Sequence, residues 1–445
     1  MRADSARDYL DELVNWASAR LAGDEVLLAH LSGEDSDFVR FNHATVRQAG
    51  TVSQRSISID LIDGQRHAEG SVSLTGVVET DHHRVVQLMS DLREQRAVLP
   101  DDPYLLYSTA SGASERLVDG QAPLSADAID AVVSGAGGSD LVGIYAAGQS
   151  FRGFASSFGQ RNWFAAGSFN LDWSLHHHAD KATKNAYAGL AWDPDVLATK
   201  LAWSRRELDV LGRAPRNLPP GGYRSYLSPA ALREIMDMLS WGGFSLRSHR
   251  TKQTPLLRMV TEGARLHPSV SISEDIAGGV APDFQAAGFT RPDSVSLIDG
   301  GQFAGHLVSP RSAQEYGVET NGADDHEFPT AIAMAPGSLP TNDVLSELGT
   351  GLYIGNLWYL NFSDRSACRT TGMTRFGTFW VEDGEIVAPI EVLRFDDTAF
   401  HLLGDRLVGL TDTAETILDP STYEQRSTES LRLPGALVEE MTFTL

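Results

Sequence analysis

The sequence predicts an α+β protein with two domains: an N-terminal α/β domain with an antiparallel sheet and flanking helices, and a β-rich C-terminal domain of barrel or sandwich type. First, 445 residues are too many for one ordinary hydrophobic core. Second, apolar and polar side chains alternate over residues 25–78, as in a sheet with one wet face. Third, 41 glycines and recurrent Asp-Gly pairs indicate many turns.

The N-terminal domain is expected to begin with a helix over residues 4–22, where apolar side chains recur at helical spacing. The alternating segment supplies the first strands. Asp81 is then predicted as the N-cap of a second helix that ends near Val98, before a proline-rich stretch. A third helix is expected around residues 125–133.

Two or three further strands, between residues 141 and 178, complete the predicted N-terminal sheet. Asp193 followed by Pro194 is typical of a helix start, with the aspartate as N-cap and proline in the first turn. This helix is expected to end near Gly212. The linker-like segment APRNLPPGG follows, so we divide the chain into domains of residues 1–212 and 213–445.

The C-terminal domain is predicted to open with a helix capped by Ser228 that runs to about Trp241. Strands follow, with hairpin turns at the Asp-Gly pairs beginning at Asp299 and Asp383. A polar loop over residues 319–342 is long enough to be either functional or disordered.

Composition excludes several classes of function. A formal net charge of -23 would repel the phosphates of nucleic acids and of anionic membranes, so neither is expected as a partner. A single cysteine rules out an internal disulfide and any zinc site built from several cysteines. The N-terminal residues do not resemble a signal peptide, and no window approaches the roughly 18 consecutive apolar residues of a membrane span. We therefore expect a cytoplasmic protein.

Several segments together resemble the TldD/PmbA family, whose members are metallopeptidases or their partner subunits. The N-terminal stretch DFVRFNHATVRQAGTVSQRSISIDLIDGQRHAEGSVSLTG resembles the family's first sheet. PGSLPTNDVLSELGTGLYI and GTFWVEDGEIVAPI resemble recurring segments of its last domain. The resemblance covers nearly the whole chain and implies an α/β N-terminal and a β-rich C-terminal domain.

The family's zinc motif is altered in this sequence. In metal-binding members the helix after the linker carries HExxxH, and laid over it by position this chain reads REIMDM, from Arg233 to Met238. A guanidinium cannot donate a lone pair to zinc, and a thioether is a poor zinc ligand. Glu234 alone is retained. The resemblance therefore implies the PmbA/TldE-like branch, in which a TldD-like partner holds the zinc and the complex processes peptides.

Cys368 is a second candidate catalytic residue. Catalytic family members take a third zinc ligand from a cysteine close to the C-terminus, but the tail here has none, so that role is not transferred. Arg365 and Arg369 flank Cys368 and are expected to lower the pKa of its thiol, which favours a nucleophile. A half-buried structural cysteine is the alternative.

The arginines and a histidine run supply the remaining candidates. Arg365, Arg369 and Arg375 suit either a clamp for a peptide or partner carboxylate, or internal ion pairs. His176 and His178 would share one face of a strand about 6–7 Å apart and supply two metal ligands, or else lie on a solvated edge.

The triplet from Asp325 to Glu327 is a weaker metal candidate, because it lacks the second histidine of HExxH and Pro329 disfavours a helix there. The alternative, which we favour, is a solvent-facing turn. The apolar positions of the REIMDM helix, among them Met238, are interpreted as its buried face.

Three functions remain open from the sequence. The first is a metal-free, TldE-like subunit of a heteromeric metallopeptidase, which would offer a sheet edge to an extended peptide. The second is an autonomous hydrolase that uses Cys368 or a metal bound by His176 and His178. The third is a non-catalytic peptide-binding scaffold, homo-oligomeric when alone.

Overall fold

Strands form most of the framework of the computed structural model, which describes residues 3–178 and 181–444. The elements up to residue 212 are α1 (Ala3–Ser18), β1 (Val26–Asn42), β2 (Thr45–Asp63), β3 (Arg66–Ser73), α2 (Val78–Val98), β4 (Gly112–Val118), α3 (Ser125–Ala136), β5 (Asp140–Ser156), β6 (Gln160–His176), β7 (Ala182–Gly189) and α4 (Pro194–Leu211).

Shorter elements fill the remainder of the chain. They are β8 (Gly221–Leu227), α5 (Pro229–Ser240), α6 (Leu246–Arg250), α7 (Leu257–Thr261), β9 (Ile272–Glu274), β10 (Val295–Asp299), β11 (Gln302–Phe303), α8 (Pro310–Tyr316), β12 (Ala331–Met334), α9 (Val344–Leu348), β13 (Gly351–Asp364), β14 (Arg369–Glu382), β15 (Glu385–Pro389), β16 (Arg394–Thr398), β17 (Leu407–Leu410), β18 (Glu415–Leu418), β19 (Ser430–Leu433) and β20 (Ala436–Phe443). A 3-10 turn at Thr341–Asp343 and a π-type turn at His401–Asp405 complete them.

The N-terminal sheet has the order β3-β2-β1-β5-β6, and the far edge of β6 is shared by β4 and β7. All of these pairs are antiparallel except β4 with β6. Because side chains alternate along a strand, Leu31 and Ile59 face the helices α1 and α2 while Ser32 and Ser58 face the opposite side. The predicted antiparallel sheet with flanking helices is confirmed.

The helix boundaries correct one expectation. Asp81 is not the N-cap of α2, because the helix begins at Val78. Its buried carboxylate instead accepts hydrogen bonds from the backbone N–H groups of Thr75 and Gly76 and from the Tyr9 hydroxyl. It thereby fixes the turn that leads from β3 into the helix.

A closed ring of strands forms the C-terminal barrel. β13 pairs with both β8 and β14, and β20 and β16 connect β8 to β14 on the other side, so the order β13-β8-β20-β16-β14 returns to its start. A second sheet, β11-β10-β9-β12-β19-β18, lies beside it. The apolar face of α5 (Leu232, Ile235 and Leu239) is buried in the same core as the barrel. The predicted β-rich domain of barrel type is confirmed.

The polar loop over residues 319–342 is more ordered than the sequence predicts. It contains β12, which pairs with β9 and β19. Interpreting Glu327 as part of a solvent-facing turn is wrong, because its side chain is fully buried. Its carboxylate accepts hydrogen bonds from Ser245 and Arg247 at the start of α6 and from Ser309 at the start of α8. One loop carboxylate therefore joins two helix N-termini.

The predicted domain division after residue 212 falls between α4 and β8. In the described part of the chain, each sheet draws its strands from one side of that point only. We retain the division as a proposal. The surface where the two parts meet contains the candidate site.

Candidate functional site: a cleft beside helix α5

A cleft of about 100 Å³ lies where the N-terminal sheet meets α5 and the second sheet. Its walls are the strand β7, the strand β18 and the first two turns of α5. Charged and amide side chains line much of it: Asn170, Asp172, Lys184, Asn185, Arg233, Glu234, Asn356 and Glu415.

The start of α5 fixes which side chains face the cleft. The Ser228 hydroxyl accepts the N–H of Ala231 and donates to the carbonyl of Gly355, and Pro229 occupies the first turn. Since the apolar stripe of the helix points into the core, Arg233 and Glu234 lie on the opposite side, toward the cleft.

Ion pairs organise the polar side of this helix. The Nε atom of Arg233 lies 3.4 Å from a carboxylate oxygen of Asp237, one turn later. Across the cleft, the Nζ atom of Lys184 lies 3.5 Å from a carboxylate oxygen of Asp172. Two cations and four carboxylates, counting Glu234 and Glu415, therefore share a small and partly buried space.

Burial governs the electrostatics of the cleft. It raises the pKa values of Asp172, Glu234 and Asp237, and this effect exceeds the opposing attraction of Arg233 and Lys184. The charge of Asp237 raises the pKa of Glu234 further. The cleft therefore holds its carboxylates against a desolvation penalty, and its cations only partly relieve that penalty.

The donor set at the position of the family's zinc motif does not fit a zinc ion. The Arg233 guanidinium offers no lone pair to zinc and is paired with Asp237, and Met238 is a buried thioether. Glu234 is the one ligand type that remains there. Within residues 3–178 and 181–444, no set of three or more His, Cys, Asp or Glu side chains is placed to hold a metal ion.

The histidine pair does not share a strand face as predicted. β6 ends at His176, and His177 and His178 lie in the turn beyond it. The Nδ1 atoms of His177 and His178 contact each other, whereas the His176 side chain stays on the strand. The prediction that His176 and His178 lie on one face of a strand, as two ligands of a metal, is therefore wrong.

The expected lowering of the Cys368 pKa is also wrong. The cysteine is fully buried, and burial raises the pKa of its thiol to about 12. The charge of Arg365 lowers it by much less. A thiol that stays protonated and out of contact with solvent is poorly suited to act as a nucleophile.

The three candidate arginines do not converge on one point. Arg365 donates to the carbonyls of Gln253 and Trp241, so it ties the ends of α5 and α6 together. Arg369 lies 3.2 Å from Asp396 on the neighbouring strand, an internal ion pair.

Arg375, the third of these arginines, lies beside an exposed aromatic side chain. Its guanidinium lies 5.0 Å from the ring centre of Trp358, a residue 46% exposed. It pairs across the hairpin with Asn356, which lines the cleft. Of the three arginines, Arg375 is therefore the one that the fold brings beside the cleft.

Sequence reasoning missed the side of the cleft that the N-terminal domain provides. Asp172 and Lys184 come from adjacent strands, β6 and β7, and Glu415 comes from β18. None belongs to a local motif, and their proximity to α5 follows from tertiary packing. The alternation of polar and apolar residues along β6 and β7 could have placed these polar side chains on one face of the sheet. It could not have shown that this face packs against α5.

A family model identifies the family, and solved structures share the fold. A family model described as PmbA/TldA metallopeptidase C-terminal domain matches residues 220–445. TldE from Thermococcus kodakarensis has a similar structure, with a TM-score of 0.77 and 14% identity over 98% of this chain and 100% of that chain. A protein named as a proposed modulator of DNA gyrase, from Thermotoga maritima, gives a TM-score of 0.75 and 13% identity over 98% and 99%.

A protein of the same description from Bacteroides thetaiotaomicron gives 0.74 and 15% identity, again over 98% and 99% of the two chains. At such low identities these likenesses establish the fold alone. A comparison with curated proteins found no match. Among the helices of residues 3–178 and 181–444, none combines the length and apolar character that a membrane crossing requires.

Proposed function

Because this chain belongs to the TldD/PmbA family of metallopeptidase-related proteins, we propose that it is the metal-free, TldE-like subunit of a two-component cytoplasmic peptidase. The observation that carries the proposal is the arginine at position 233. By its position in the sequence it stands where the family's zinc motif has a histidine, and it is paired with Asp237 at the cleft. Zinc and its activated water would then belong to a TldD-like partner.

Arg233 supplies a positive charge to the cleft without a metal ion. Arg233 opposes the raised pKa values of Asp172, Glu234 and Asp237, so it stabilises the charged forms of the carboxylates around it. A helix with two histidines at these positions would have neutral imidazoles there instead. The arginine therefore supports the geometry of the cleft as a wall of a shared chamber.

Two strand edges border the cleft and suit an extended peptide. In the described chain β7 hydrogen-bonds with β6 alone, and β18 with β19 alone, so each has a free edge near α5. A backbone added at such an edge is held by main-chain hydrogen bonds, whatever its side chains. This mode of capture suits a peptidase that processes peptides of varied sequence.

An aromatic surface beside the cleft suits the partner subunit. Trp358 and Tyr359 are 46% and 75% exposed, and Arg375 stacks against Trp358. Tryptophan, tyrosine and arginine are the residues most enriched among the energetic centres of protein interfaces. We therefore assign the partner contact to this surface, with Arg375 at its border with the cleft.

Co-expression with a TldD-like protein that retains HExxxH tests the proposal. We expect the two chains to copurify, zinc to remain with the partner, and peptide hydrolysis to require both chains. Stoichiometric zinc bound by this chain alone, together with peptide hydrolysis by it, would contradict the proposal.

A pair of variants locates the partner contact. Replacing both Trp358 and Tyr359 with alanine is expected to weaken copurification at least tenfold, the factor that corresponds to about 1.4 kcal/mol. Leu124→Ala serves as the matched control, because Leu124 is 76% exposed and lies in the N-terminal half. If both variants copurify equally well with the partner, the aromatic surface is not part of the interface.

A further inference from the structure

Residues 419–429, which we call the strap, connect β18 to β19 and pass over the N-terminal sheet. Pro420 forms part of the cleft beside α5. The strap also covers a small cavity above Ala146 and borders a groove of about 460 Å³ next to His30. One segment of the C-terminal part therefore forms a wall of three separate spaces.

A single side chain holds the middle of the strap to the sheet. The guanidinium of Arg426 donates to the Ser168 hydroxyl at 2.7 Å and carbonyl at 3.0 Å, to the Gly148 carbonyl at 3.2 Å and to the Ser36 hydroxyl at 3.4 Å. Its backbone N–H donates to the Glu34 carboxylate at 3.3 Å. These acceptors lie on β1, β5 and β6, three adjacent strands.

Other contacts of the strap are few and lie near its surface. The Asn170 amide donates to the carbonyl of Asp419, and the Gln54 amide donates to that of Glu424. Tyr423, its one aromatic residue, is 84% exposed. Arg426 is the one buried residue of the strap, at 5% exposure, so the strap buries no large apolar side chain.

This distribution makes the docking of the strap depend on Arg426. Releasing the strap exposes little apolar surface, and segments with few buried apolar contacts open at low free-energy cost. When Arg426 is docked, its guanidinium hydrogen-bonds to polar groups of three strands. When the strap lifts, water hydrogen-bonds to those groups instead. Docking of the strap therefore depends mainly on the contacts of one guanidinium.

We propose that the strap is a lid, which closes the cleft and the neighbouring groove while Arg426 is docked and opens both when Arg426 leaves the sheet. This inference concerns access to the cleft and does not depend on a peptidase partner. Its ligand would be any chain or small molecule that must pass residues 419–429 to reach α5.

Thiol labelling measures the opening directly. Ala146 is 2% exposed beneath the strap, so Ala146→Cys places a reporter there. The natural Cys368 is fully buried and remains as an internal marker of global unfolding. We expect Ala146→Cys to react slowly with a maleimide, and the added change Arg426→Ala to accelerate the reaction at least tenfold while Cys368 stays unlabelled.

Two further variants make the result decisive. Arg369→Ala, which removes an exposed arginine from the barrel, should leave the labelling rate unchanged. Ser168→Ala removes one acceptor without altering the strap and should accelerate labelling about threefold, which keeps the test valid if Arg426→Ala fails to fold. Unchanged labelling in a folded Arg426→Ala protein, or in Ser168→Ala, would overturn the proposal.

Discussion

Arg233 and Arg426 both come from the C-terminal half and both lie where it meets the N-terminal sheet, yet their surroundings differ. The side chain of Arg233 is 24% exposed and pairs with Asp237 on its own helix. Arg426 is 5% exposed and donates to hydroxyl and carbonyl groups of three strands. A half-exposed ion pair is worth little, whereas several buried hydrogen bonds from one charged donor contribute more. The position of the family motif is therefore the more tolerant of the two.

The largest effect is expected at Arg426. Arg426→Ala should lower the free energy of unfolding by about 3 kcal/mol, because it removes the charge-assisted hydrogen bonds to Ser168 and Gly148, whose net contribution water does not replace. Urea denaturation measures this loss, and Arg426→Lys should recover part of it by keeping the charge without the planar fork. A loss below about 1 kcal/mol would place Arg426 in the same class as Arg233.

The difference between the two arginines also separates what the sequence could predict from what it could not. The Ser228 cap and the apolar stripe of α5 are local signals, so the placement of Arg233 on the polar face could be derived from spacing. The acceptors of the Arg426 guanidinium lie 258 to 390 residues away in the chain, and two of them are backbone carbonyls. No pattern of side chains in the sequence indicates that a distant backbone carbonyl will accept a hydrogen bond from Arg426.

The same division holds for the rest of the fold. The long N-terminal strands repeat every two residues and were predicted, whereas β4 joins the sheet in parallel through residues with no distinctive pattern. Asp81 and Glu327 have the composition of solvated or capping residues, and tertiary packing buries both. Burial of a carboxylate depends on which donors the fold brings to it, so local composition could not reveal it.

Glu327 extends the comparison to a buried anion. Glu327→Gln should lower the free energy of unfolding by about 2.5 kcal/mol, because an amide N–H₂ would face donors from Ser245 or Ser309 that now meet carboxylate oxygens. The exposed Glu319 supplies the control, and Glu319→Gln should change the value by less than about 0.5 kcal/mol. Equal effects of the two changes would mean that the helix starts at residues 245 and 309 do not depend on this carboxylate.

Glu207 sharpens the comparison, because it is buried and forms no ion pair with any residue that the structure describes. The indole N–H of Trp203 donates to it, yet burial raises its pKa from 4.5 to about 8. The folded protein therefore keeps a proton that the unfolded chain has lost, and the stability that this proton supplies is complete below pH 4.5 and falls as the pH rises toward 8. We expect a loss of about 2 kcal/mol between pH 6 and pH 8.

Glu207→Gln should remove this pH dependence, since an amide does not titrate. Chemical denaturation at pH 6, 7 and 8 measures the slope in the parent and the variant. Parallel slopes in the two proteins would show that Glu207 is ionised when folded, which would require a cation or water beside it.

The smallest effect is expected at Arg233, although it occupies the position that family membership makes most prominent. Arg233→Ala should lower the free energy of unfolding by less than about 1 kcal/mol, as for other partly exposed ion pairs one helical turn apart. Arg258 on α7 and Glu262 at the C-terminal end of that helix form a pair with the same spacing, with 3.0 Å between Nε and the carboxylate, so Arg258→Ala is the matched control. A loss near 3 kcal/mol at Arg233 alone would make this arginine a structural anchor like Arg426. In that case the loss of the zinc motif would be explained by stability instead of by the division of labour that we propose between two subunits.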